Sequence, residues 1–173
     1  MRLFHVSEEE NIERFVPRIP TRQDMNQTVG LVWALTELAL PNFLTPRDCP
    51  RVGYRVNDNS TTDDVERFFT SSSRHCVIIE RDWHQRMLET TLYVYEFDPA
   101  HFHPGGGFYV SEQTETPIAV TRYDDLYGEL FRRNTEVRLV DNLWKIGEEV
   151  KVSSLTYSLC RMANAKPKTE DDV

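Results

Sequence analysis

The residues best suited by type to do chemistry are one histidine near the chain start, several arginines in loop-like stretches and a scatter of carboxylates. His5 lies inside the apolar run Arg2-Leu-Phe-His-Val-Ser7. An imidazole there can hold a ligand hydroxyl, or it can be half-buried and bonded to a backbone group. The stretch Pro41-Asn-Phe-Leu-Thr-Pro-Arg-Asp-Cys-Pro-Arg51 presents Arg47 and Arg51 four positions apart on a backbone stiffened by prolines. Guanidinium groups held this way suit a phosphate or a carboxylate, and they equally suit pairing with the chain's own acids. Arg18 and Arg22 flank the start of a polar loop over residues 21–28. His101 and His103, with Asp98 nearby, form a weak metal-ligand pattern against a background reading of surface histidines. Gly-x-Gly-x-x-Gly, phosphate-loop lysine, Gly-x-Ser-x-Gly and His-Glu-x-x-His motifs are all missing. Gly105-Gly-Gly107 lacks a following helix and reads as a turn between strands.

These side chains must be carried by regular elements, and the periodicity predicts many of them. Leu3 to Ser7 reads as a strand with Leu3 and His5 on one face and Phe4 and Val6 on the other. Ser7-Glu-Glu-Glu10 has the form of a capping box, which predicts a short helix from Glu8 to Phe15 burying Ile12 and Phe15. Gly30 to Ala34 predicts a strand that continues into helical turns up to Leu40, and Val52 to Val56 another strand. Thr62 followed by Asp63 and Asp64 predicts a capped helix with Val65, Phe68 and Phe69 on its apolar face. Cys76 to Ile79 is apolar throughout, as a central strand should be, and a short helix after Asp82 would bury Trp83 and Met87.

The clearest strand is Thr91 to Asp98, where Tyr93, Tyr95 and Phe97 alternate with Leu92, Val94 and Glu96. Strands at Phe108 to Val110 and Ile118 to Val120 follow. A helix from Tyr123 to Asn134 would turn Leu126, Leu130 and Phe131 inward. A strand over Val137 to Val140, a helix with Leu143, Ile146 and Val150 at helical spacing, and a final extended or helical piece over Leu155 to Met162 complete the chain. The expectation is one α+β domain over residues 1–165, built on mixed or antiparallel sheets with short helices, and a flexible acidic tail over residues 166–173.

Composition bounds the partners. The 173 residues are 39% hydrophobic and 11% aromatic, enough to pack a core. A net charge of -8 and a pI near 5.1 argue against broad nucleic-acid binding and against an anionic membrane surface. Cys49, Cys76 and Cys160 are few, far apart and outside any metal-ligand spacing, which predicts reduced thiols and, with no signal-like or membrane-length apolar run, a cytoplasmic protein.

Five motifs taken together carry a resemblance: Leu-Phe-His-Val-Ser at 3–7, Gly-Leu-Val-Trp-Ala at 30–34, the proline-rich stretch at 41–52, Tyr-Glu-Phe-Asp at 95–98 and Asp-Asn-Leu-Trp at 141–144. Across nearly the whole chain they resemble an uncharacterised family of small bacterial proteins, one with no established activity. More distantly, Phe-His-x-Ser, Leu-Val-Trp-Ala and Tyr-Val-Tyr-Glu-Phe-Asp resemble, in that order, the opening strands of the ADP-ribosyltransferase-like fold. That resemblance implies a site for NAD as substrate: His5, with Ser7 of the same motif, on the adenosine ribose, and Trp33 stacked on nicotinamide. It also implies arginines such as Arg18, Arg47 or Arg51 on the pyrophosphate, and a glutamate that orients the nicotinamide ribose. Where the fold often places that glutamate, this chain has Gly107-Phe108-Tyr109; the nearest acid is Glu112, with Glu115, Glu136 and Asp141 as rivals. The acceptor of a transferred group is open. Two alternatives share the scaffold: an RNA 2'-phosphotransferase-like enzyme, which the acidic pI disfavours, and a non-catalytic interaction protein in which His5 is structural.

Overall fold

The computed structural model describes residues 1–21 and 25–168. The chain is α+β, with two sheets and short helices. Its contacts gather into two compact units, each assembled from two stretches: Met1–Leu40 with Thr91–Tyr123, and Pro41–Thr90 with the chain from Asp124.

The first unit is a six-stranded sheet. Its strands are β1 (Leu3–Ser7), β2 (Val32–Thr36), β5 (Leu92–Phe97), β6 (His103–Gly105), β7 (Phe108–Ser111) and β8 (Ala119–Tyr123), in the order β6-β7-β2-β1-β5-β8 and antiparallel throughout. β1 sits centrally, as a strand this close to the chain start must if it is not to fray. Alternation puts Leu3, His5 and Ser7 on the same face as Tyr93, Tyr95 and Phe97, which they oppose in register. On that face Leu3, Val32, Ala34, Tyr93, Tyr95 and Phe97 are buried together with Phe15, while Phe4, Leu35, Leu92, Val94 and Val110 are buried on the other. The predicted helix over residues 8–15 does not form. The segment runs extended over the sheet, with Asn11 in the left-handed region at φ 61°. The reason lies in long-range bonds: the Tyr95 hydroxyl donates to the Glu9 carbonyl (2.8 Å) and accepts the Ile12 amide (3.1 Å), and the Phe15 backbone pairs with Glu115. A one-to-two-turn helix is too marginal to resist such competition. Ser7 Oγ accepts only the Glu9 amide, a local turn in place of a helix cap.

The second unit holds a four-stranded sheet in the order β10-β3-β4-β9, from β3 (Arg51–Arg55), β4 (His75–Glu80), β9 (Thr135–Val140) and β10 (Thr156–Cys160). β4 is buried along its whole length and pairs on both sides, antiparallel to β3 and parallel to β9, as its unbroken apolar run predicts. The last piece, left between helix and strand by the sequence, is the edge strand β10. The helices are α1 (Thr62–Phe68), α2 (His84–Glu89), α3 (Leu126–Arg132) and α4 (Trp144–Lys151). Thr61, one residue before the expected cap, closes the start of α1. Leu126 and Leu130 of α3 are buried, whereas Phe131 is 61% exposed and stacks on Tyr127. The chain beyond residue 165 begins firmly held: Lys166 donates its amide to Glu80, and Trp144 Nε1 donates to the Lys166 carbonyl. The rest of the expected tail, residues 169–173, lies outside the described residues, as does Arg22.

Candidate functional site

The first unit concentrates the chemistry on the His5 face of its sheet. His5 Nδ1 lies 3.0 Å from the Trp33 carbonyl. A carbonyl only accepts, so the bond puts a proton on Nδ1 and fixes which edge of the ring turns towards the backbone. The Phe15 ring packs 4.9 Å from the imidazole and holds its plane. Phe15 is itself fixed edge-on against Tyr95 and Phe97.

The acid on this face is Glu115. Its backbone pairs with Phe15 in both directions, at 2.8 and 3.0 Å. Its carboxylate is buried, 6% exposed for the residue, and accepts the Ser111 hydroxyl at 2.5 Å. Ser111 opposes Val32 in register and therefore projects from β7 onto the His5 face. Its oxygen also accepts the Gln113 amide at 3.1 Å, which directs the hydroxyl proton to Glu115. From the solvent side His101 brings Nδ1 to 3.4 Å from the same carboxylate oxygen. A buried carboxylate is tolerated where a donor satisfies it, as the Ser111 hydroxyl does here.

The residues expected from the sequence are not all gathered there. Ser7 shares the face of His5. Trp33 does not: it opposes Val110, one step out of phase with the Ala34–Tyr109 pair, and lies edge-on to Phe108 at 5.7 Å. Strand alternation thus puts the Trp33 and His5 side chains on opposite faces, and a ring stacked on Trp33 cannot also rest on His5. Glu112 is exposed, one position past Ser111 and outward in the pleat, so Glu115 and not Glu112 supplies a carboxylate to the face. Arg18 is exposed and joined through its backbone to Leu31.

Arg47 and Arg51 belong to the second unit. Arg47 is exposed. Arg51 is buried, donates through Nε to the Asn42 carbonyl and through Nη1 to the Cys49 carbonyl at 2.9 Å, and lies over the Phe43 ring. Its guanidinium is engaged in shaping the proline-rich loop, so Arg51, contrary to the sequence expectation, is not placed to hold a phosphate. Burial pushes the Cys49 and Cys76 thiols up to about 12, which keeps both protonated and inert as nucleophiles. Among the described residues no cluster of histidine, cysteine and carboxylate could hold a metal, and the His101 and His103 pattern resolves into a Glu115 partner and an exposed strand residue. None of the described helices is long and apolar enough to cross a membrane.

Sequence reasoning named Glu115 only as one rival acid and missed Ser111. The missing signal is tertiary: the carboxylate's burial depends on a backbone pairing with Phe15, one hundred positions away in the chain.

A model of a family of unknown function, DUF6886, matches residues 4–165. The chain belongs to DUF6886. The match takes in the described strands and helices apart from Leu3 at the start of β1, so both units of this DUF6886 chain contribute to it. Comparisons with curated proteins and with solved structures found no match.

Proposed function

We propose that this chain binds NAD or a related nucleotide on the His5 face of the six-stranded sheet and transfers its ADP-ribosyl group, with Glu115 as the acid. The observation that supports this best is that an oriented histidine on a central strand and a buried, hydroxyl-bonded carboxylate lie on one sheet face, joined through Phe15. His5 would accept a ribose hydroxyl at Nε2, and Tyr109, which opposes Ala34 on the same face, takes over the aromatic role first given to Trp33. In the reaction the bond from the ribose carbon to the nicotinamide nitrogen breaks, and the electron pair leaves with nicotinamide. The acceptor's nucleophile then forms the new bond to that carbon. The ribose passes through oxocarbenium character, which a desolvated carboxylate stabilises electrostatically. Ser111 and His101 hold Glu115 in place for this.

Isothermal titration calorimetry with NAD and ADP-ribose tests the binding step. The wild-type chain should bind at least one of them. His5→Ala should weaken that binding, and Glu115→Gln should keep binding while transfer falls roughly 10²–10³-fold, the usual cost of losing one electrostatic stabiliser. No heat with either ligand would overturn the proposal.

The bond from His5 to the Trp33 carbonyl and its packing on Phe15 also favour a second reading, a non-catalytic interaction protein with a structural histidine. Under that reading His5→Ala lowers stability and leaves ligand binding unchanged.

A further inference from the structure

The second unit carries a filled groove that the proposed reaction does not use. Residues 166–168 follow Ala165, whose backbone is extended at φ -70° and ψ 157°. Lys166, Pro167 and Lys168 are each gripped in the manner of a bound peptide. The Lys166 amide donates to both oxygens of Glu80, at 3.0 and 3.2 Å, and that carboxylate is 2% exposed at the end of β4. Trp144 Nε1 donates to the Lys166 carbonyl at 2.7 Å, and Asn142 Nδ2 to the Pro167 carbonyl at 3.0 Å. The two lysines then reach separate acids: Lys166 Nζ lies 2.9 Å from Asp82 and Lys168 Nζ 3.1 Å from Glu148. Lys168 Nζ also stands 4.8 Å over the Trp144 ring.

This is recognition of a peptide backbone with a lysine at every second position, and two of its properties make it exchangeable. The backbone is bound through groups that any peptide presents, namely one amide and two carbonyls. The lysine pairs are exposed, each worth a factor of roughly five at most, so the side chains of the resident segment add little to its backbone contacts and a partner with better side-chain contacts can compete for them. Lifting it would uncover an indole beside carboxylates, the combination of aromatic anchor and charge that concentrates binding energy at interfaces. Residues 166–168 also lie beyond the residues that match the family, whereas the groove lies within them.

We propose that the groove lined by Glu80, Asp82, Asn142, Trp144 and Glu148 is a docking site for an extended Lys-x-Lys segment of a partner protein. Lys166–Lys168 is the resident competitor. Tethered in the same chain, it acts at a high effective concentration and keeps the site closed until a better ligand displaces it.

Fluorescence polarisation with a labelled synthetic peptide Asn-Ala-Lys-Pro-Lys tests this on the full chain. The double variant K166A/K168A should bind the peptide about tenfold more tightly than the wild type, because two competing ion pairs are gone. Adding Asp82→Asn and Glu148→Gln, both at partly exposed positions, should reverse that gain, and a control peptide with glutamates for lysines should not bind. Circular dichroism establishes that each variant is folded. A folded K166A/K168A chain that binds the peptide no better than wild type would overturn the proposal. So would binding insensitive to the Asp82 and Glu148 changes. Sedimentation showing wild-type dimers that dissociate in K166A/K168A would also overturn it, assigning the groove to a second copy of this chain.

Discussion

Asn42 is where the buried polar groups of the second unit converge. Its carbonyl accepts Arg51 Nε, its Oδ1 lies 2.8 Å from His75 Nε2, and a Cβ on Gly53 would overlap that same Oδ1. Gly53 therefore leaves room for Asn42, and Gly53→Ala should destabilise the chain by about 1–3 kcal/mol, the usual cost of overpacking, read from urea denaturation. His75 is buried, and burial pushes its pKa down from 6.5 to about 4. Between those values the unfolded histidine takes up a proton that the folded one refuses, so stability falls as pH drops through the window. The loss should reach about 3 kcal/mol near pH 4, and His75→Gln, which keeps a donor for Asn42, should flatten that part of the stability profile. None of this was legible in the sequence, where His75 is one polar residue before an apolar run and Arg51 looks like a phosphate ligand. What decides each role is a partner 9 to 33 positions away.

Elements were legible where one strong pattern stood alone. β5 forms where its β-favouring run predicts and is buried on both faces, and β4 follows its unbroken apolar run. The glycine stretch became a two-residue hairpin turn between β6 and β7, with Gly106 at φ 58° and Gly107 at φ 84°. Positive φ at both positions is what such a turn demands. Gly107→Ala meets no neighbour within 4 Å and should cost only the conformational penalty, about 1 kcal/mol. Gly106→Ala adds a clash with Met25 Sδ at 2.9 Å and Trp33 at 3.2 Å, and should lower the thermal midpoint further than Gly107→Ala does. Residues 8–15 misled because the capping-box pattern is local, and the Tyr95 hydroxyl that captures Glu9 and Ile12 is not.

At the scale of the whole molecule, the α+β class follows from the mixture of periods, whereas the division into two compact units does not. Each unit is built from two separated stretches, so no linker or composition shift marks a boundary. The same interleaving decides which expected site residues share a unit. His5, Ser7, Arg18, Trp33 and Glu112 fall in the first, Arg47 and Arg51 in the second. Within the first unit, strand register sorts His5 from Trp33 and promotes Glu115 over Glu112. The proposed nucleotide thus rests on one particular sheet face of the first unit. Two-dimensional amide NMR of the labelled chain, titrated with NAD, tests it most directly. A nucleotide bound there should shift amides clustered at His5, Phe15, Tyr109, Ser111 and Glu115, and the shifts should be lost in His5→Ala. No shifts at saturating NAD, or shifts that spare these five residues, would contradict it.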